Sequence, residues 1–212
     1  LHSLYLSQGN YPAAVEALRL TLRLQPDAPG RAYRLGLYLA ALQPAEALVY
    51  LELAARDPAL AARAGELQRT IRTAELEGEP AYTHLQAGRQ LASLGEWVLA
   101  GEAFRQAVLA RPDYAEAWAL LGEARQQVGD DAGQAFADLE QAMVLKPDSA
   151  LVSGLLALYW ERQGELEKRI ACLAAAAAAE PESPTWQAEW GRALALGGDL
   201  HAAQEHYEAA VR

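Results

Sequence analysis

Four histidines, one cysteine and a pair of adjacent aspartates are the residues of this 212-residue chain whose types are suited to chemistry. Nucleophilic catalysis needs a Ser or Cys beside a His base that a carboxylate orients. His2, His84, His201 and His206 stand in no such pattern. His201 and Glu205 are one helical turn apart with His206 adjacent, but a two-residue cluster falls short of a zinc ligand set. Asp130–Asp131–Ala132–Gly133 is superficially like a calcium loop, yet it lacks the alternating ligands and the terminal Glu, so turn and helix-cap duty is expected there. No phosphate-binding glycine loop occurs. Cys172, between Ala171 and Leu173, reads as a small core residue, and a single cysteine excludes a disulfide within the chain. No catalytic residue, metal or cofactor is therefore expected, and the protein reads as a non-enzyme.

Composition narrows the fold. Hydrophobic residues make up 52% of the chain, enough for a core, and alanine and leucine dominate them, which favours helix. Val, Ile and Thr are sparse, so strands are not expected. The net charge is −10: residues 1–80 carry 8 basic and 9 acidic side chains, residues 81–212 carry 10 and 19. That sign disfavours a nucleic-acid partner. No apolar run approaches the roughly 18 residues of a membrane span, and no signal peptide is visible. The lack of disulfides fits a reducing, cytoplasmic compartment. Leu1 falls inside a helical pattern, which predicts a piece of a longer protein with any targeting signal outside it.

The elements that would position a site are helices. Leu1, Leu4 and Tyr5 share one helix face, Gly9–Asn10 turns, and Tyr11, Ala14, Val15 and Leu18 continue toward Pro26. Leu35, Gly36 and Leu39, then Pro44, Ala47, Leu51, Ala54 and Pro58, repeat this plan with 32 residues between prolines. Residues 59–79 break it: Leu60, Ala64, Leu67, Ile71 and Ala74 mark one amphipathic helix without a hairpin partner of its own, followed by a linker to Pro80. The rhythm resumes with Gly88, Leu91, Ala100, Phe104, Ala107 and Pro112, and the next prolines, Pro147 and Pro181, follow at spacings of 35 and 34. The expected organisation is an N-terminal block over 1–58, an extra helix and linker over 59–80, and a block of four hairpins over 81–212.

Small residues recur at fixed places. Gly36, Gly88, Gly122 and Gly191 lie in first helices; Ala47, Ala100, Ala135 and Ala203 lie in second helices. A helical glycine costs about 0.5–1 kcal/mol relative to alanine, so its repetition predicts close helix–helix approach at one point in each hairpin. A lone hairpin cannot bury its apolar face, whereas stacked neighbours can. Trp118, Leu121, Gly122, Ala135, Leu139, Ala142 and Pro147 together resemble the pattern of the tetratricopeptide repeat family, and the resemblance covers nearly all of the chain outside 59–79. It implies an all-α fold, a right-handed superhelical solenoid of antiparallel helix pairs whose first helices line a concave groove. Two departures, Ala157 for the first-helix glycine and Arg169 for the second-helix small residue, predict a hairpin that packs less tightly. Trp118, Trp160 and Trp190 fall at packing positions; Trp97 and Trp186 are expected to be partly exposed.

Carried over residue by residue, the family's groove positions are Tyr33, Leu37, Tyr82, Leu85, Arg89, Glu116, Glu123, Gln127, Leu151, Leu158, Arg162 and Arg192. The Lys/Asn-rich clamp of chaperone adaptors is not matched, since the only lysines are Lys146 and Lys168 and the only asparagine is Asn10. The expected function is a non-catalytic protein- or peptide-binding scaffold. The alternatives are an accessory or regulatory segment of a larger enzyme or signalling protein, and a module that self-associates through uncapped ends. The extra helix predicts a groove redirected or interrupted before Ala81.

Overall fold

The computed structural model describes residues 9–129 and 132–211. Among these are twelve helices and no strand: α1 (Tyr11–Leu24), α2 (Pro29–Leu42), α3 (Pro44–Ala54), α4 (Pro58–Glu75), α5 (Pro80–Ser93), α6 (Trp97–Ala110), α7 (Ala115–Val128), α8 (Ala132–Leu145), α9 (Ala150–Gln163), α10 (Leu166–Ala179), α11 (Pro184–Leu196) and α12 (Leu200–Ala210). The face expected from Leu1, Leu4 and Tyr5, the position of His2, and the Asp130–Asp131 turn lie outside the described residues.

The helix ends follow from local chemistry. Proline opens α2, α3, α4, α5 and α11, where its fixed φ suits the first turn and its missing N–H costs nothing. Asn10, Asp57, Ser149 and Asp199 cap their helices by accepting backbone N–H bonds with their side chains. Gly95 and Gly164 adopt φ of +80° and +76° and turn the chain between the helices of their hairpins.

The chain forms two compact units, Leu1–Pro112 and Asp113–Arg212. The second is the regular one: α7–α8, α9–α10 and α11–α12 are antiparallel hairpins, α9 packs on both helices of the hairpin before it, and α11 packs on α10. The close approach predicted from the glycines is present. A Cβ at Gly122 would stand 2.8 Å from the Ala135 carbonyl oxygen, and one at Gly191 would stand 3.1 Å from that of Ala203. In the first unit, a Cβ at Gly88 would meet the Phe104 ring at 2.6 Å.

The first unit is arranged around α2. That helix packs on α1, α3, α4, α5 and α6, and its run from Leu35 to Ala41 is buried on every face. The amphipathic helix expected over 59–79 is α4, with Ala64, Leu67, Ile71 and Ala74 buried as its spacing requires. It does not stand alone: it lies against α2, α3 and α5, and Gln68 Nε2 donates to the Leu48 carbonyl at 3.3 Å. Because α2 also reaches α5 and α6 directly, the helices before and after α4 belong to one core. Arg34 on α2 donates to Glu96, just before α6, at 3.1 Å.

Candidate functional site

The expected groove positions divide sharply by burial. In the first unit Leu37, on the enclosed α2, and Leu85, on α5 where it packs against α2, α4 and α6, are fully buried. Tyr33 is partly buried, and that burial raises the pKa of its phenol. Tyr82 lines a shallow depression of about 310 Å³ with Arg69, Thr70, Thr73, Ala74 and Gln86. Arg89 is exposed.

In the second unit three of the expected residues meet, but on one another. Arg162 of α9 forms a two-armed ion pair with Glu123 of α7, Nη1 to Oε2 and Nη2 to Oε1, both at 2.7 Å. Gln127 Nε2 donates to Glu123 Oε1 at 2.7 Å, and Arg162 Nη1 also reaches Gln126 Oε1 at 2.9 Å. Glu123 is buried, and its hydrogen bond holds the Arg162 guanidinium above its ordinary pKa. This cluster fastens successive first helices together, so Glu123 serves packing. Glu116 is half-buried at the start of α7.

The remaining positions frame an opening. A largely apolar cavity of about 220 Å³ lies among α9, α10 and α11, lined by Leu151, Gly154, Leu155, Leu158, Leu173 and Trp186 and edged by Glu161, Arg169 and Glu189. Leu151 and Leu158 are expected groove residues, and Arg192 stands beside the edge, paired with Glu189 at 2.6 Å. Gly154 gives Trp186 its place: a Cβ there would stand 2.2 Å from the indole ring. Trp186 Nε1 donates to Glu180 at 3.0 Å, which fixes the ring as a wall.

The cavity sits at the hairpin with the two sequence departures. Arg169 occupies the position filled by buried alanines at Ala47, Ala100, Ala135 and Ala203 in the other hairpins. It is buried, and its guanidinium pairs with Glu161 of α9 at 3.0 Å and Glu189 of α11 at 3.6 Å. Ala157, in place of the usual glycine, lines the same space. The looser packing expected from these two residues is not seen: both are buried, and α9 and α10 pack on each other as extensively as α7 and α8. The sequence did not reveal Gly154, Leu155, Leu173 or Trp186 as lining, because their convergence depends on three helices meeting.

Around this site the apolar packing is continuous. Phe136 stacks on Tyr159 at 5.1 Å and meets Trp160 edge-on at 5.2 Å. Trp118 and Trp160 are partly buried against the α7–α9 core, and Trp190 against the α9–α11 core. Trp97 and Trp186 are likewise half-buried. Cys172 packs against both cores, and burial raises its pKa, which keeps it a thiol. Among the described residues no group of three or more His, Cys, Asp or Glu side chains is placed to hold a metal ion, and no helix is long and apolar enough to cross a membrane.

No protein-family model and no curated protein sequence matches the chain. Solved structures do. The thermophilic TPR protein TTC0263 from Thermus thermophilus aligns with a TM-score of 0.58 at 22% identity, covering 87% of this chain and 90% of its own. MamA from Desulfovibrio magneticus aligns at 0.53 and 22%, covering 86% and 93%. YrrB, described as a TPR protein with an unusual peptide-binding site, aligns at 0.50 and 16%, covering 93% and 92%. With its glycine-apposed antiparallel hairpins and these alignments along most of its length, the chain has the tetratricopeptide-repeat fold.

Proposed function

We propose that the protein is a non-catalytic scaffold that binds a protein or peptide, with Leu151 and Leu158 at the mouth of the α9–α11 cavity as its principal contact. The observation that carries this reading is the cavity itself. At about 220 Å³ it lies below the roughly 300 Å³ at which small-molecule sites begin. It is sized for one bulky side chain of a larger partner, the kind of buried anchor that dominates interface energies. Tyr82 and Arg89 in the first unit, and Arg192 beside the cavity, are proposed as further contacts. YrrB's described peptide-binding site is consistent with this use of the fold.

A photo-reactive amino acid at Leu158 tests the reading in cells of the native source. Leu158 is 41% exposed at the cavity mouth, and Val144 on α8 is a comparison position at 77%. A discrete cross-linked species is expected from position 158 and not from 144. Equal cross-linking at both, or at neither, overturns the assignment of this site.

A further inference from the structure

We infer that the occupant of the α9–α11 cavity is a cationic segment of another protein: a bulky aliphatic or aromatic side chain flanked by Lys or Arg. This rests on the cavity being the binding site. What it adds is the chemistry of the partner, and two independent observations support it.

The first is where the charge lies. Leu1–Pro112 contains 11 acidic and 11 basic residues, a net of zero, while Asp113–Arg212 contains 17 and 7, a net of −10. The whole excess of the protein therefore belongs to the unit that carries the cavity. Such a surface raises the local concentration of cations and speeds their encounter, over a range of about 8 Å at physiological salt. It also repels a second copy of the same unit, which would bring another ten negative charges.

The second is what the rim has left to offer. The arginines that an anionic ligand would need are already committed: Arg162 to Glu123, Arg169 to Glu161 and Glu189, Arg192 to Glu189. Two rim carboxylates converge on the one buried guanidinium of Arg169, and the Glu161 side chain remains 43% exposed. An ammonium or guanidinium next to an apolar anchor meets that outward carboxylate as the anchor enters. A ligand carboxylate or phosphate there would meet Glu161 and Glu189, with Arg169 buried beneath both and Arg192 already carrying Glu189.

Three labelled, end-capped peptides test the inference on the full chain by fluorescence anisotropy. They share one Leu-Phe-Leu centre and differ in flanks of Lys, Gln or Glu. The Lys-flanked peptide is expected to bind at least about tenfold tighter than the Glu-flanked one at low ionic strength, with the gap closing as salt rises. Leu158→Gln keeps every charge and removes the apolar lip, and it is expected to weaken the Lys-flanked peptide by about tenfold, with thermal melting reporting that the variant is folded. Equal affinity for Lys and Gln flanks, with both weakened by Leu158→Gln, overturns the cationic class and leaves the cavity as the site. Lys-flanked binding untouched by Leu158→Gln in a folded variant places the peptide elsewhere on the acidic unit and overturns this inference. Failure of all three peptides to bind overturns the site reading as well.

Discussion

Two glycines in helices have opposite roles, and the residue scale separates them. Gly122 faces a backbone carbonyl that cannot swing aside, since Ala135 O would lie 2.8 Å from a new Cβ. Gly65 in α4 has nothing within 4 Å of that position. Gly122→Ala is therefore expected to destabilise the fold by about 1–3 kcal/mol despite its gain in helix propensity. Gly65→Ala is expected to stabilise it by about 0.5–1 kcal/mol. Urea titration of both variants checks the signs. His84 supplies a pH term. Burial holds its pKa below the ordinary value, against an opposing hydrogen bond to the Ala41 backbone and the nearby charge of Glu102. Below a pH of about 6.5 the unfolded chain takes up a proton there that the folded chain resists. Stability is thus lost as pH falls from that value toward the depressed folded one. Chemical denaturation at stepped pH should show this slope, and His84→Phe should flatten it.

At the scale of elements, the pair between α7 and α9 is lopsided. Glu123 is buried, with its side chain 8% exposed, whereas that of Arg162 is 36% exposed. Removing Arg162 strands a carboxylate away from water; neutralising Glu123 leaves a guanidinium that water can still reach. Arg162→Met is therefore expected to cost more than Glu123→Gln, by about 1–2 kcal/mol, as measured by equilibrium unfolding of the two variants. The enclosure of α2 belongs to the same scale. Leu37 and Leu85 match groove positions in the repeat pattern, and a single sequence cannot distinguish a first helix facing solvent from one surrounded by five neighbours. The reading of α4 shows the same limit: its apolar stripe was legible in the four-three spacing, and its partners were not.

At the scale of the whole molecule, charge is divided unevenly between the two units. A unit of net −10 repels itself, and its described arginines are already paired locally, so screening relieves more repulsion than attraction. Raising salt from a few millimolar to about 0.15 M is expected to raise the melting temperature seen by tryptophan fluorescence. Four of the five tryptophans, Trp118, Trp160, Trp186 and Trp190, lie in that unit and make the probe selective for it. A falling melting temperature would mean that the ion pairs outweigh the self-repulsion.

The sequence by itself determined the helices, their turns and the points of close approach, and it marked Ala157 and Arg169 as departures from the repeat. These are written in spacing along the chain: an apolar stripe every three or four residues, a glycine where two backbones touch, a proline at a helix start. Only the tertiary structure decided which groove residues are open. It buried Leu37 and Leu85 within the first unit, tied Arg162 and Gln127 to Glu123, and left Leu151 and Leu158 at a cavity whose wall is Trp186. Exposure and pairing are properties of what lies across the gap, and residues such as Gly154 and Trp186, 32 positions apart in the chain, become neighbours only when successive hairpins stack.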